Sequence, residues 1–494
     1  MKLTLAQTAA ALGVDLIGDD REFSRLSINT RTLEKGDLFV AIKGDNFDAH
    51  EYIAQAEEQG ACGLVVEHCS DSILPQIVVE NTRQAFGDIA SLWSSAFSLP
   101  IVAITGSCGK TTVKEMVAAI FARRDGNTSV QKHEQETVLA TKGNLNNDIG
   151  VPLTLLRLNK AHKVAVIEMG ANHRGEIKKL VNIVQPDVAV ITNVTHAHVE
   201  GFGSIEGIAK AKAEIYTGLE TNGTAVINAD DDFADYWLDF CQQQPSENGQ
   251  IKRLTFGLHP SADVHADYKQ LSDGLEILMQ TPNGEQTIHL QQFGRHNVYN
   301  ALTATAVTIA TGCSIDDVKA GLESFKNVAG RLEQKSGING ALIFDDTYNA
   351  NPGSVRAGID AIKQVSDDIH GEAILVLGDM GELGEEAQAL HYQLGIDAAY
   401  MGIKKLFTVG ELSEETSKGF NSIVLGQKDQ TQAKHSNNKN KLIEQVRNTL
   451  QKNNVVLVKG SRSMKMETVV EALVNDVAIQ QNMNNAQPIK KDEQ

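Results

Sequence analysis

Ile101-Val102-Ala103-Ile104-Thr105-Gly106-Ser107-Cys108-Gly109-Lys110-Thr111-Thr112 passes from an apolar run, through two glycines, to a lysine and paired threonines. The run has the composition of a buried strand. Behind it Val113, Met116, Val117, Ile120 and Phe121 recur at the i, i+3, i+4, i+7, i+8 spacing of one buried helical face. Strand, tight loop and helix therefore follow one another. The loop N–H groups and the free N–H groups at the helix start make a cradle for phosphate oxygens. Gly106, Ser107, Cys108, Gly109, Lys110, Thr111 and Thr112 are the expected nucleotide contacts, with Lys110 on the terminal phosphates and the Thr111 hydroxyl on Mg²⁺. Only Ser107 and Cys108 separate the glycines, where the usual phosphate loop has about four residues. A glycine-rich turn that binds nothing is the alternative, and Gly-Lys-Thr-Thr ahead of an amphipathic helix weighs against it.

The chain has 494 residues, enough for about three domains. With 41% hydrophobic and 22% charged residues it has the composition of a soluble globular protein. The net charge of −18 argues against a broad nucleic-acid surface, although a local phosphate pocket survives an acidic total. The N-terminus lacks a signal-peptide layout, and no apolar run approaches the ~18 residues of a membrane helix, so a cytoplasmic protein without membrane insertion is expected. Five cysteines, at 62, 69, 108, 241 and 313, show no metal-ligand spacing and read as reduced thiols.

Residues 1–98 read as a small α/β domain, with strands over 37–42, 63–66 and 76–79 and a helix over 50–59. A second helix enters through Asn81-Thr82-Arg83-Gln84, which has the form of a capping box. A central domain over 99–326 holds the phosphate loop, then a Gly- and Asn-rich loop over 142–152 that either connects or presents amides to a ligand. The buried run 164–167 ends in Glu168, at the carboxyl end of a strand where open α/β sheets keep ligands; a solvated strand-end carboxylate is the plainer reading. The strand over 188–192 empties toward His196 and His198, which can ligate a metal, bind phosphate or cap the loop. Lys212 falls on the apolar stripe of Ile205, Ile208, Ala209 and Ile215. There a lysine must snorkel out, find a counter-charge or change its chemistry, and snorkelling is the default. Alternating residues on either side of Pro282-Asn283-Gly284 predict an antiparallel hairpin. From 341 the βα alternation restarts, with strands over 341–345, 373–377, 405–409 and 455–458 in a third, mainly parallel domain over 327–480. Residues 427–440 read as a surface loop and 481–494 as a disordered tail.

Taken in order and context, the phosphate loop, the Glu168 strand end, His198, Lys212, Asn297-Val298-Tyr299-Asn300 and Gly330-Arg331-Leu332-Glu333 resemble the ATP-dependent Mur ligases of bacterial cell-wall synthesis. The resemblance implies three α/β domains: a small substrate-binding N-terminal one, a central P-loop-type ATPase with a mostly parallel sheet, and a Rossmann-like C-terminal one. It also implies an amide ligase in peptidoglycan precursor synthesis that works through an acyl phosphate. Gly44-Asp45-Asn46-Phe47-Asp48-Ala49-His50, with stretches 142–152, 346–354, 377–384 and 457–464, points to UDP-N-acetylmuramoyl-tripeptide and D-alanyl-D-alanine as the partners. Another Mur ligase, or a folylpolyglutamate synthetase-like ligase with a different amine acceptor, is the alternative.

By the same resemblance Lys110, Glu168, His198 and Lys212 carry the chemistry. Thr111, Glu168 and His198 would hold Mg²⁺, joined by Lys212 if carbamylated to N6-carboxylysine. Asn297, Asn300, Arg331 and Asp346 would contact ATP. Ser27, Asn29, Thr30, Arg31, Asp45, Asn46, Phe47 and His50 would hold the UDP-muramoyl end, and Asn144, Asn147, Asn349 and Asn351 complete the substrate contacts. A monomer is expected.

Overall fold

The structure, a computed structural model, describes residues 2–44, 47–126, 137–195, 199–220, 222–244, 250–271, 273–425 and 432–474. Its strands form three main sheets, of five, nine and six strands, in chain order.

The five-stranded sheet runs Leu16–Ile17, Gln76–Val78, Gly63–Val66, Leu38–Val40, Leu26–Ser27, with all but the first pairing parallel. Gly63–Val66 is buried along its whole length because helices cover both faces, which is why it reads as a continuous apolar run. The expected helix over 50–59 is instead a 3₁₀ turn, Ala49–Tyr52, followed by the short helix Ile53–Glu58. The capping box before helix Thr82–Ser94 is only half made: Asn81 accepts from the Gln84 N–H. That helix docks the first unit onto the second. A Cβ on Gly87 would lie 2.6 Å from Ile183, and Trp93 Nε1 donates to the Leu158 carbonyl at 3.2 Å. One hydrophobic cluster consequently runs from Leu5, Phe86 and Trp93 through to Ile167, Leu180 and Ile215.

In the nine-stranded sheet Ile101–Thr105 lies between Val164–Glu168 and Val188–Ile191, all parallel. The chain leaves this strand to build first one side of the sheet and then the other, so the loop after Thr105 opens into a topological switch point. Ile104 is in register with Glu168, which sets the carboxylate beside the loop. Thr224–Asn228, Lys252–Gly257 and Val264–Leu271 continue the parallel pairing, and beyond Val264–Leu271 the sheet turns antiparallel. Gly274–Thr281 pairs with Gly284–Leu290, and Thr281 lies opposite Gly284, so Pro282 and Asn283 make the expected turn.

The six-stranded sheet runs Glu333–Ser336, Leu342–Asp346, Asn454–Lys459, Glu372–Gly378, Lys405–Val409, Lys434–Ser436, parallel except at the first pair. Both edge strands depart from the sequence expectation. Part of the stretch over 427–440 is the strand Lys434–Ser436, and Glu333–Ser336 is a polar, half-exposed strand without an apolar run. Asp346 pairs with Lys459, and Lys459 with Leu377, so three strand ends meet at the edge facing the central unit. Residues 475–494, the expected tail included, lie outside the described residues, as do 427–431. No helix among the described residues is long and apolar enough to cross a membrane.

Candidate active site

The two glycines of the loop have different neighbours and both are needed. Gly106 sits at φ 149°, and a Cβ there would fall 1.9 Å from Thr192 Oγ1; Gly109, at φ 84°, would place one 2.4 Å from Asn300 Oδ1. The compressed spacing thus lets the loop lie against two other elements at once. The segment after Val188–Ile191 stitches it in place. Ser107 N–H donates to the Asn193 carbonyl at 2.9 Å and Cys108 N–H to Asn193 Oδ1 at 3.0 Å, while Thr192 Oγ1 donates to the Cys108 carbonyl at 2.6 Å. Two loop amides expected at phosphate are therefore bonded within the protein. The amides of Lys110, Thr111 and Thr112 open the helix Lys110–Arg124 and have no intrahelical acceptor, so they are the ones that point outward. Thr192 and Asn193 carried no sequence signal beyond their place at a strand end.

Charged groups crowd behind this turn. Lys110 Nζ donates to the Gly106 carbonyl at 2.8 Å; burial pushes its pKa down, against the pull of the Glu168 carboxylate. Glu168 is 2% exposed, so the solvated strand-end carboxylate is overturned. Its Oε2 accepts from Thr111 Oγ1 at 2.9 Å and its Oε1 from Asn146 Nδ2 at 2.9 Å, and its N–H donates to Thr141 Oγ1 at 2.9 Å. Asn146 and Thr141 were not expected here, and only the polar composition of their loop hinted at them. Lys212, on the helix Ile205–Ala213, is 3% exposed, so it does not snorkel. It has no hydrogen-bond or carboxylate partner among the described residues. Burial, with the neighbouring Lys110 charge, brings its pKa down to about 7, slightly opposed by Cys108.

The C-terminal unit reaches the same point. Arg331 Nη2 donates to Thr111 Oγ1 at 3.0 Å, and its guanidinium lies 4.3 Å from the centre of the Tyr348 ring, a cation–π contact. The Arg331 Nε is buried without a partner among the described residues. Asn351 Nδ2 donates to Cys108 Sγ at 3.4 Å, while its Oδ1 caps the helix Pro352–Asp368 through Ser354 N–H at 2.8 Å. Lys459 Nζ joins Asp346 Oδ2 at 2.6 Å and the Asn349 carbonyl at 2.9 Å. Asn300 Nδ2 donates to Asn297 Oδ1 at 2.8 Å, and Asn297 Nδ2 to the Phe293 carbonyl at 2.9 Å. The structure thus gathers Lys110, Thr111, Glu168, Lys212, Asn300, Arg331 and Asn351 around one loop.

The remaining expected residues lie apart or are occupied locally. Ser27 Oγ donates to the Asn29 carbonyl at 3.0 Å, Asn29 Oδ1 accepts from Arg31 N–H at 3.0 Å, and Thr30 Oγ1 donates to Gln55 Oε1 at 2.9 Å. His50 Nε2 accepts from Glu67 N–H at 2.9 Å, so Nδ1 carries the proton it gives Asp48 at 2.6 Å, and no ring nitrogen is free. Phe47 is 55% exposed and stacks on Tyr52 at 5.4 Å. Asn147 caps the helix start through Gly150 N–H at 2.8 Å, and the Asn144 carbonyl accepts from Asn146 N–H at 2.8 Å. Arg83 on the first unit pairs with Asp148 of that loop, Nη2 to Oδ1 at 2.7 Å. Asp45, Asn46, His196 and His198 lie outside the described residues. No cluster of three or more metal-ligating side chains occurs among the described residues.

Three family models match the chain: the Mur ligase family catalytic domain over residues 22–93, the Mur ligase middle domain over 104–308, and the Mur ligase glutamate ligase domain over 330–462. The chain is 41% identical over 475 residues to UDP-N-acetylmuramoyl-tripeptide–D-alanyl-D-alanine ligase of Escherichia coli, covering 96% of this chain and 98% of that one. Its structure resembles that of MurF from Acinetobacter baumannii, with a TM-score of 0.83 at 34% identity over 94% and 97% of the two chains. It also resembles MurF ligase from Thermotoga maritima in complex with ADP, with a TM-score of 0.76 at 26% identity over 91% and 96%.

Proposed function

The chain belongs to the Mur ligase family, and from that premise we propose that it uses ATP to join D-alanyl-D-alanine to UDP-N-acetylmuramoyl-tripeptide. The observation that carries this is a likeness running through both outer units as well as the ATP-loop unit, to a ligase named for that dipeptide. A likeness confined to the central unit would leave the amine acceptor open.

The reaction begins when a tripeptide carboxylate oxygen attacks the γ-phosphorus of ATP; an O–P bond forms and ADP leaves. The dipeptide amine then attacks the acyl carbon, a C–N bond forms, the amine loses a proton, and phosphate leaves with the C–O bonding pair. The phosphoryl step calls for alignment and charge neutralisation rather than a protein nucleophile. Lys110, the outward amides of the first helical turn and Arg331 supply positive charge to the phosphates, and Asn297, Asn300 and Asp346 hold the rest of the nucleotide. Thr111 Oγ1 and Glu168 Oε2, 2.9 Å apart, are hard oxygen donors that fit Mg²⁺. When bound, the ion neutralises phosphate charge, and His198 would ligate a second one.

A lysine with a pKa near 7 is substantially unprotonated at neutral pH, and the free amine is the form that adds to CO₂. In that step Nζ bonds to the carbon and a proton goes to solvent. The resulting N6-carboxylysine replaces a repelling ammonium with an anion that can face the cations around Lys110.

Ser27, Asn29, Thr30 and Arg31, with Asp45, Asn46, Phe47 and His50, receive the UDP-muramoyl end, with the exposed Arg31 as the available cation. Asn144 and Asn147 shape the loop behind Glu168, and Asn349 and Asn351 face the dipeptide. The five cysteines are all free, which suits a reducing cytoplasm, and each chain carries a full set of these residues, as a monomer requires. An acceptor panel tests the reading: phosphate release from ATP is expected only with both the UDP-linked tripeptide and D-alanyl-D-alanine, yielding a UDP-linked pentapeptide by mass. Full-rate release without the dipeptide, or with glutamate in its place, would overturn it.

A further inference from the structure

The loop after the strand Glu372–Gly378 is tied down from three directions. Asp379 Oδ1 accepts from Ser413 N–H at 2.7 Å, so this carboxylate serves the neighbouring turn of its own domain. The Asp379 carbonyl accepts from Ser461 N–H at 2.9 Å and from Ser461 Oγ at 2.7 Å. The third tie comes from a residue with no part in the chemistry above. His391, on the helix Ala387–Tyr400, is 0% exposed and accepts the Met380 N–H at Nε2, at 3.0 Å. Its Nδ1 lies 2.7 Å from the Ala387 carbonyl. A carbonyl only accepts, so Nδ1 carries the proton, Nε2 keeps its lone pair, and the ring is neutral.

The ring is held on a rigid support. A Cβ on Gly395 would fall 2.0 Å from the Thr416 carbonyl, and one on Gly419 would fall 2.0 Å from the Tyr392 carbonyl. The helices Ala387–Tyr400 and Ser413–Val424 therefore touch backbone to backbone at these two places. On the other side of the bond the Met380 side chain is buried, whereas Gly381 and Glu382 emerge exposed. Glu382 sits at φ 61°, a conformation that a residue with a Cβ holds only where its surroundings impose it. The turn Gly384–Glu386 then approaches the helix Val199–Phe202 of the central unit.

We propose that His391 is the positioning residue that, through the Met380 N–H, sets the loop over 379–382 in the shape that receives the D-alanyl-D-alanine acceptor. The proposal rests on the proposed function, in which Asn349 and Asn351 face the dipeptide, and on this strand end adjoining theirs: Lys459 pairs with both Asp346 and Leu377, and Ser461 binds the Asp379 carbonyl. Water does not reach a ring that is fully buried, so removing Nε2 leaves a buried N–H without an acceptor. Such a donor forces a local rearrangement, and Gly381 and Glu382 are the next residues along the chain.

The test compares acceptor-less and acceptor-bearing replacements in the whole enzyme. His391→Asn is too short to reach Met380, and His391→Leu fills the site without an acceptor, while His391→Gln carries Oε1 at about the reach of Nε2. Steady-state KM values for D-alanyl-D-alanine, ATP and the UDP-linked tripeptide are measured with kcat and Tm. His391→Asn and His391→Leu are expected to raise the dipeptide KM about tenfold, with the other two KM values within about twofold, and His391→Gln to stay within about threefold of the parent. Equal behaviour of all three variants, parallel shifts in every KM, or no shift would overturn the proposal. So would failure of both acceptor-less variants to fold, because the bond would then hold the domain rather than the loop. Gly381→Val, at an exposed position with room for a Cβ, reports on the underlying reading. If it raises the dipeptide KM while His391→Asn and His391→Leu do not, the loop faces the dipeptide and His391 does not position it. If neither change moves that KM, both ideas fall.

Discussion

Around the start of the helix Lys110–Arg124, the buried Glu168 and Lys212 lie with the half-buried Lys110 and Arg331, and among the described residues Lys212 Nζ and Arg331 Nε have no partner. In the segment 27–50 the opposite holds: Ser27, Asn29, Thr30, Asp48 and His50 each commit their polar atoms to a nearby backbone or side-chain partner. The contrast separates two kinds of work. Groups placed to meet developing charge are held together out of bulk water, where burial pushes the pKa of Lys110 and Lys212 down, because the ligand completes them. Groups that recognise a substrate by shape are satisfied in advance, so the surface they build is rigid before anything binds. Substitutions in the first region should remove turnover and spare the fold, whereas those in the second should act through conformation.

The sharpest attempt to break this contrast is Lys110→Ala. It is expected to lower kcat for phosphate release about a thousandfold with an unchanged circular dichroism spectrum; retention of turnover within tenfold would make the crowded charges structural. Lys212→Met comes next and should lower kcat about a hundredfold while raising stability. The folded pKa near 7 lies below the ordinary 10.5, so between those values the unfolded chain holds a proton that the folded chain lacks, and stability rises with pH across that window. The penalty, roughly 5 kcal/mol, is fully present below pH 7. In CO₂-free buffer the Tm advantage of Lys212→Met should be largest near pH 6.5 and shrink toward pH 9.5; a constant advantage would mean that the lysine is not buried as a strained base. The smallest effect concerns Asn351, which touches the first region through Cys108 while its Oδ1 is satisfied locally, as the polar atoms of the second region are. Asn351→Ala should cost about 1 kcal/mol through the lost helix cap. Asn351→Ser should restore Tm but not the dipeptide KM, because a hydroxyl caps the helix without reaching Cys108.

What the sequence disclosed follows the same division. The phosphate loop was legible because an apolar run, paired glycines and a 3.6-residue periodicity agree on one structure, and Lys212 stood out because a charge interrupts an apolar stripe. Glu333–Ser336 and Lys434–Ser436 were not, since half-exposed edge strands need no apolar face and resemble loops. Asn146, Thr192, Asn193 and His391 act through hydrogen bonds to backbone or carboxylate atoms brought close only by folding, and their spacing carries no trace of it. The half-made cap at Asn81 shows the converse, a local pattern realised only in part.

Thr111 Oγ1 is shared, donating to Glu168 while accepting from Arg331 on the other side of the domain boundary. Whatever binds through that oxygen competes with the guanidinium, so ligand occupancy and the placement of the C-terminal domain are two readings of one equilibrium. Reciprocity then follows without further machinery: any change that holds the domain against Thr111 weakens capture of the ligand by the same factor as the ligand loosens the domain.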